Sequence, residues 1–254
     1  MNFYIVSLLV ALAEQNLSNF CNLNIVKSAA LFSDFQEISM RFKSVADFYF
    51  SFLRKLGMIS YQSFIREHIG FFDFTNFTGY DRAVNEVLLM LNKKSYHKIL
   101  ENDILPVQVR FTDTENMHLV VGLSCRDMKC VFLHIVDLSL PKNEVKNIPT
   151  SVTYVKEIFD SYMPSSKQTL RDSIEAKGFN YNHFQRDCKI CFGDSFYSFW
   201  LKNKMIEAAG DIIFTTLSLK EIAFKSKFLD YQNMYKTFSR YGVGLSSIPR
   251  LANI

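Results

Sequence analysis

Two stretches of this chain repeat one local design 49 positions apart, and few folds accommodate both. Thr169-Leu-Arg-Asp172 followed by Gly178-Phe179 matches Ser218-Leu-Lys-Glu221 followed by Lys227-Phe228. Each copy opens with a hydroxyl residue three positions before an acid, the pattern that satisfies the first free N–H groups of a helix. In the second copy, Leu219, Ile222 and Ala223 supply a buried helical face, and Lys225 to Leu229 is too short for anything but a turn. Asp230 then starts a second helix with Met234, Thr237 and Phe238 inward, and Gly242 stops it. In the first copy, Asn180 caps a following helix over Tyr181 to Cys188.

Two short helices joined by a tight turn outline a helix-turn-helix, whose second helix can enter a DNA major groove. The sequence therefore predicts two such units in tandem. Outward positions of the first second-helix are Tyr181, Asn182, Gln185, Arg186 and Lys189; those of the other are Tyr231, Gln232, Asn233, Lys236 and Arg240. Asn and Gln pair with adenine edges, while Arg and Lys donate to guanine or phosphate. Between the units, Ser195 to Thr215 is long enough for one continuous helix, with Phe196, Phe199, Trp200, Met205, Ala208, Ile212 and Ile213 available to pack on both.

Charge agrees with this placement. The chain has 254 residues, with 29 basic and 25 acidic side chains; 14 and 10 of these fall in residues 151–254, so residues 1–150 are balanced. The excess positive charge thus lies where a phosphate-facing surface is wanted. Five cysteines form no disulfide framework, and Cys188-x-x-Cys191 lacks a second pair or a His pair, so it reads as two core thiols rather than a metal site. No catalytic constellation, glycine-rich phosphate loop or cofactor motif occurs, and His97, His118 and His134 are isolated in sequence. The apolar run Phe3 to Ala13 has no preceding Lys or Arg and falls short of the roughly 20 residues of a membrane span. It reads as a buried helix or strand, and the expected location is cytoplasmic.

Residues 1 to about 104 contain no proline and permit long helices. Asn24 to Leu56 carries apolar residues at helical spacing through Phe35, Ile38, Phe42, Val45, Tyr49 and Phe52, and Tyr61 to Ile69 and Tyr80 to Leu100 read the same way. From Pro106 the pattern turns β-like over Val107–Phe111, His118–Ser124 and Lys129–Leu138, predicting a three-stranded antiparallel meander. Pro141 to Pro149 is the linker candidate. The expected fold is mainly α with a small β portion: a regulatory α+β domain over residues 1–145, helices first and then the meander, and an all-α tandem helix-turn-helix domain over 150–254.

Residues 153–254 resemble the AraC/XylS transcription regulators. Gly178 and Gly193 have that family's spacing around the first recognition helix, and Lys204 and Ala208 match its connecting helix. Leu219, Glu221, Ile222, Ala223, Phe228, Asp230, Phe238, Arg240 and Tyr241 follow its second half. Lys227 departs from it, standing where the family has glycine, as does Leu229 in place of a capping serine. The resemblance implies an activator that binds promoter DNA and contacts RNA polymerase, with no cofactor. It further implies an N-terminal half that dimerises or senses a small-molecule or protein effector.

Overall fold

A computed structural model describes residues 1–27, 32–73, 87, 89, 104–126, 130–162 and 169–252. The chain is a mixed α and β protein in which helices predominate. It opens with α1 (Phe3–Cys21), α2 (Asn24–Lys27) and α3 (Phe32–Lys55). Strands β1 (Phe64–Asp73), β2 (Ile104–Thr112), β3 (Asn116–Arg126) and β4 (Cys130–Pro141) follow. Six more helices close the order: α4 (Tyr154–Ser161), α5 (Leu170–Ala176), α6 (Tyr181–Phe192), α7 (Phe196–Phe214), α8 (Leu219–Lys225) and α9 (Tyr231–Arg240).

The N-terminal apolar run is a helix. Asn2 caps it by accepting from the Ile5 N–H, and Ile5, Val6, Leu9, Leu17 and Phe20 form its buried stripe. In α3 the predicted stripe is buried at Phe35, Ile38, Phe42, Val45, Tyr49 and Phe52. Gly57, in the left-handed region at φ 67°, turns the chain out of it.

The sheet has four antiparallel strands in the order β1-β4-β3-β2. Three of them are the predicted meander. The fourth, β1, corrects the helical reading of Tyr61 to Ile69. Its residues find partners on β4, Ile65 opposite Leu138 and Ile69 opposite His134, while Glu67 reaches Lys43 of α3 at 2.5 Å. Such long-range pairing overrides local periodicity. The Tyr80 to Leu100 helix expectation lies outside the described residues, apart from a helical Val87 and Leu89.

One sheet face packs on α1 and α3, with Leu119, Val121, Val136 and Leu138 against Leu9, Phe42, Val45 and Tyr49 around a cavity of about 110 Å³. On the other face Val107, Val120, Leu133 and Ile135 are buried as well. At Gly122 in β3 a Cβ would stand 2.3 Å from the His134 carbonyl oxygen, so only glycine lets β3 and β4 approach this closely.

A continuous apolar core joins the first helices to the last. The Phe52 ring of α3 stacks on Phe238 of α9 at 5.9 Å, and Lys55 Nζ donates to the Gly242 carbonyl at 2.7 Å. From α1, Tyr4 packs on Phe192 and Phe199. The Asn2 amide donates to the carbonyls of Ile190 and Cys191 at the end of α6. The linker candidate is ordered against the same region, since Lys146 N–H donates to Met1 O and Phe3 N–H to Lys146 O. Among the described residues no helix is long and apolar enough to cross a membrane.

Candidate nucleic-acid interface

Both predicted capping boxes are formed. Thr169 Oγ1 accepts from the Asp172 N–H while the Asp172 carboxylate accepts from the Thr169 N–H, and Ser218 and Glu221 exchange the same pair of bonds. Each box satisfies two N–H groups that a helix start leaves without partners, which fixes where α5 and α8 begin.

Two bonds of the turns after them correspond. In the first unit Gly178 N–H donates to Glu175 O and Phe179 N–H to Ile174 O; in the second, Lys227 N–H donates to Phe224 O and Phe228 N–H to Ala223 O. Donors and acceptors are all offset by 49 positions. Gly178 has φ 82° and Lys227 φ 58°, and Lys227 is the sole non-glycine in this region among the described residues. The second unit thus keeps the turn without the glycine that makes it easy. Lys204 of α7 braces it, donating from Nζ to the Lys227 carbonyl with its ammonium 4.3 Å from the Trp200 ring and 4.4 Å from Phe228. Burial pushes the Lys204 amine down to about 8.

The second helix of each unit starts at a side-chain cap. Asn180 accepts from the N–H groups of Asn182 and His183, and Asp230 from that of Asn233. The first helix runs a turn beyond the predicted Cys188, to Phe192, because Cys188, Cys191 and Phe192 continue the buried stripe begun at Phe184. In α9 Met234 and Phe238 are buried; Thr237 and, in α8, Leu219 are half-buried, less enclosed than the spacing implied.

Of the ten predicted contacts, Asn182, Arg186, Lys189, Gln232, Asn233, Lys236 and Arg240 are exposed. Tyr181, Gln185 and Tyr231 are half-buried. Tyr181 carries the Arg171 guanidinium 4.8 Å from its ring, and the Asn233 amide donates back to Asp230 at 3.0 Å. These two residues are therefore partly committed to holding their units together.

Sequence reasoning passed over His183, exposed on the first turn of α6, and Tyr235, exposed on α9. Both lie on the same outward arc as named residues. It also missed an apolar edge on the second unit: Phe224 is 83% exposed and Leu229 89%.

Elsewhere, two histidines that looked isolated have partners. His118 Nδ1 lies 3.0 Å from Asp137 and its Nε2 2.9 Å from Asp113, with Phe111 stacked on the ring. The backbone N–H of Asn116, then His118, hold the Asp113 carboxyl far below the usual carboxylate range. His134 is buried beside Ser39 at 2.6 Å and Glu67 at 3.0 Å. Cys188 and Cys191 are buried free thiols, pushed up by burial to about 12 and about 11. Among the described residues no group of three His, Cys, Asp or Glu side chains is placed to hold a metal.

Comparison with protein-family models, with curated proteins and with solved structures found no match to this chain.

Proposed function

We propose that the chain is a sequence-specific DNA-binding transcription regulator of the AraC/XylS type, an activator that reads two successive major grooves with α6 and α9. The observation that carries the reading is the repeat: two helix-turn-helix units whose capping boxes and two turn bonds correspond 49 positions apart, each turning a polar, basic helix face to solvent. Residues 150–254 form the DNA-binding domain in this reading, and residues 1–145 regulate it through an effector or a second copy of the chain. Promoter DNA and RNA polymerase are its partners, and it works in the cytoplasm.

Selection from a random duplex pool tests the proposal. It expects an enriched bipartite site whose halves are about 10 base pairs apart, bound with an affinity that falls steeply as salt rises. No enriched site, or an affinity indifferent to salt, rejects it.

The exposed Phe224 and Leu229 favour a second reading, in which the second unit mainly docks another protein. Here the partner's affinity is insensitive to salt, and the loss on replacing both residues with serine exceeds any loss in DNA binding.

A further inference from the structure

The core is not filled everywhere. Between the sheet and the first two long helices it leaves a cavity of about 110 Å³. Protein interiors hold few voids larger than a water molecule, because a void forfeits contacts and costs stability. This one is walled by carbon on three sides: Leu9 and Leu17 of α1, Val45 and Phe50 of α3, and Leu119 and Val136 of the sheet. Among the described residues no charged side chain lines it, and its two polar ones, Asn16 and Tyr49, lie side by side. A buried water needs several polar partners, which such a wall does not supply.

Two small residues keep the space open. Ala13 on α1 and Ala46 on α3 both line it, where a longer side chain would enter. Helix propensity does not call for alanine at either place, since leucine is nearly as good a helix former. Both alanines are half-buried, as are Leu12 and Phe50, so the rim of the cavity reaches the surface and a molecule can enter without unfolding the core.

Size and polarity decide what fits. An apolar cavity of roughly 150 Å³ takes up benzene. At about 110 Å³ the occupant is limited to one small ring or a short alkyl chain. Charge is excluded, because a buried ion without a partner is costly.

We propose that this cavity is the effector site of the regulatory half, taking one small neutral apolar molecule, a single-ring arene or an alkyl compound of the same bulk. Its position gives the occupant leverage. Helix α1 packs through Tyr4 on Phe192 and Phe199, at the end of α6 and on α7, whereas α3 stacks Phe52 on Phe238 of α9. The occupant lies between α1 and α3, so its presence sets their spacing and with it the placing of α6 against α9. This regulatory step rests on the DNA-binding reading; uptake of the molecule does not.

Calorimetric titration of the full chain without DNA tests uptake, with toluene and cyclohexane as probes and benzoate as the charged comparison. Saturable one-to-one binding of toluene is expected, with benzoate at least about tenfold weaker. Ala46→Leu, which fills the cavity, should abolish binding while the protein stays folded by circular dichroism, and Ala13→Leu does the same from the opposite wall. Nuclear Overhauser contacts from bound toluene to the Val45 and Leu119 methyls locate the ligand without any variant. The proposal is overturned by no saturable binding of either probe, by benzoate binding as tightly, by contacts confined to other methyls, or by undiminished binding in the folded variants. Toluene should also change the affinity for the selected DNA site by about fivefold or more. An unchanged affinity overturns the regulatory step. A failed DNA selection leaves the calorimetric result standing, so the two readings fail separately.

Discussion

Replacing Lys227 with glycine should stabilise the protein, although it deletes a whole side chain. Lys227 holds φ 58° in a turn whose counterpart in the first unit is Gly178 at φ 82°. The left-handed region costs a residue bearing a Cβ about 1–2 kcal/mol. A glycine returns about 0.5–1 kcal/mol of that through the extra freedom of the unfolded chain. The net gain is about 0.5–1 kcal/mol, a rise of roughly 1–4 °C in Tm for a chain of this size. The bonds from Phe228 N–H to Ala223 O and from Lys204 to the Lys227 carbonyl involve backbone atoms of the turn and survive the change. The Lys227 charge acts in opposing directions, favouring the Glu207 carboxylate and disfavouring the Lys204 ammonium. Lys227→Ala isolates that effect, because it removes the charge and keeps the strain. Urea denaturation of the two variants gives the comparison, glycine exceeding alanine by about 1 kcal/mol. In the first unit Gly178→Ala should lose about 1 kcal/mol from torsion alone, since its Cβ would meet nothing within 4 Å. A glycine variant at 227 no more stable than the alanine variant refutes the account of the turn.

Arg186→Ala and Gln232→Ala should each weaken binding to the selected DNA site by about 1–3 kcal/mol, read by fluorescence anisotropy; unchanged affinity in both removes these residues from the interface. Phe52→Ala, which takes away the ring stacked on Phe238, should cost about 3–5 kcal/mol in denaturant unfolding, with retained stability showing that the seam between α3 and α9 contributes little. Lys204 predicts a pH effect. Its amine has a folded pKa of about 8 against 10.5 when unfolded, so between these values the unfolded chain holds the extra proton and stability rises with pH. The gain is about 3 kcal/mol across that window and none below it. It should vanish in Lys204→Met, and a parallel pH profile for the two proteins contradicts the assignment.

The tandem units were legible because their signals are local. A cap and its acid are three residues apart, a turn takes a few more, and the buried stripe of each helix repeats within the helix itself. Ten outward positions followed directly, and seven are exposed. Those half-buried owe it to neighbours that spacing does not specify, such as Arg171 over Tyr181. Strand β1 was misread for the complementary reason: Phe64 to Asp73 becomes a strand by pairing with β4, whose residues lie more than fifty positions away. The histidine clusters and the contact of α3 with α7 were invisible on the same grounds. Asp113, His118 and Asp137 converge only once β3 and β4 are in register, and Tyr49 meets Gly210 only when α3 lies across α7.

Asn2 carries an implication for how the molecule assembles. Its carbonyl oxygen starts α1, while its amide completes the end of α6, 188 and 189 positions further on. Helix α6 therefore has its last carbonyls filled only when residues far away in sequence return to it. Closing so long a loop must precede the contact that rewards it, which places this junction among the slow steps of folding.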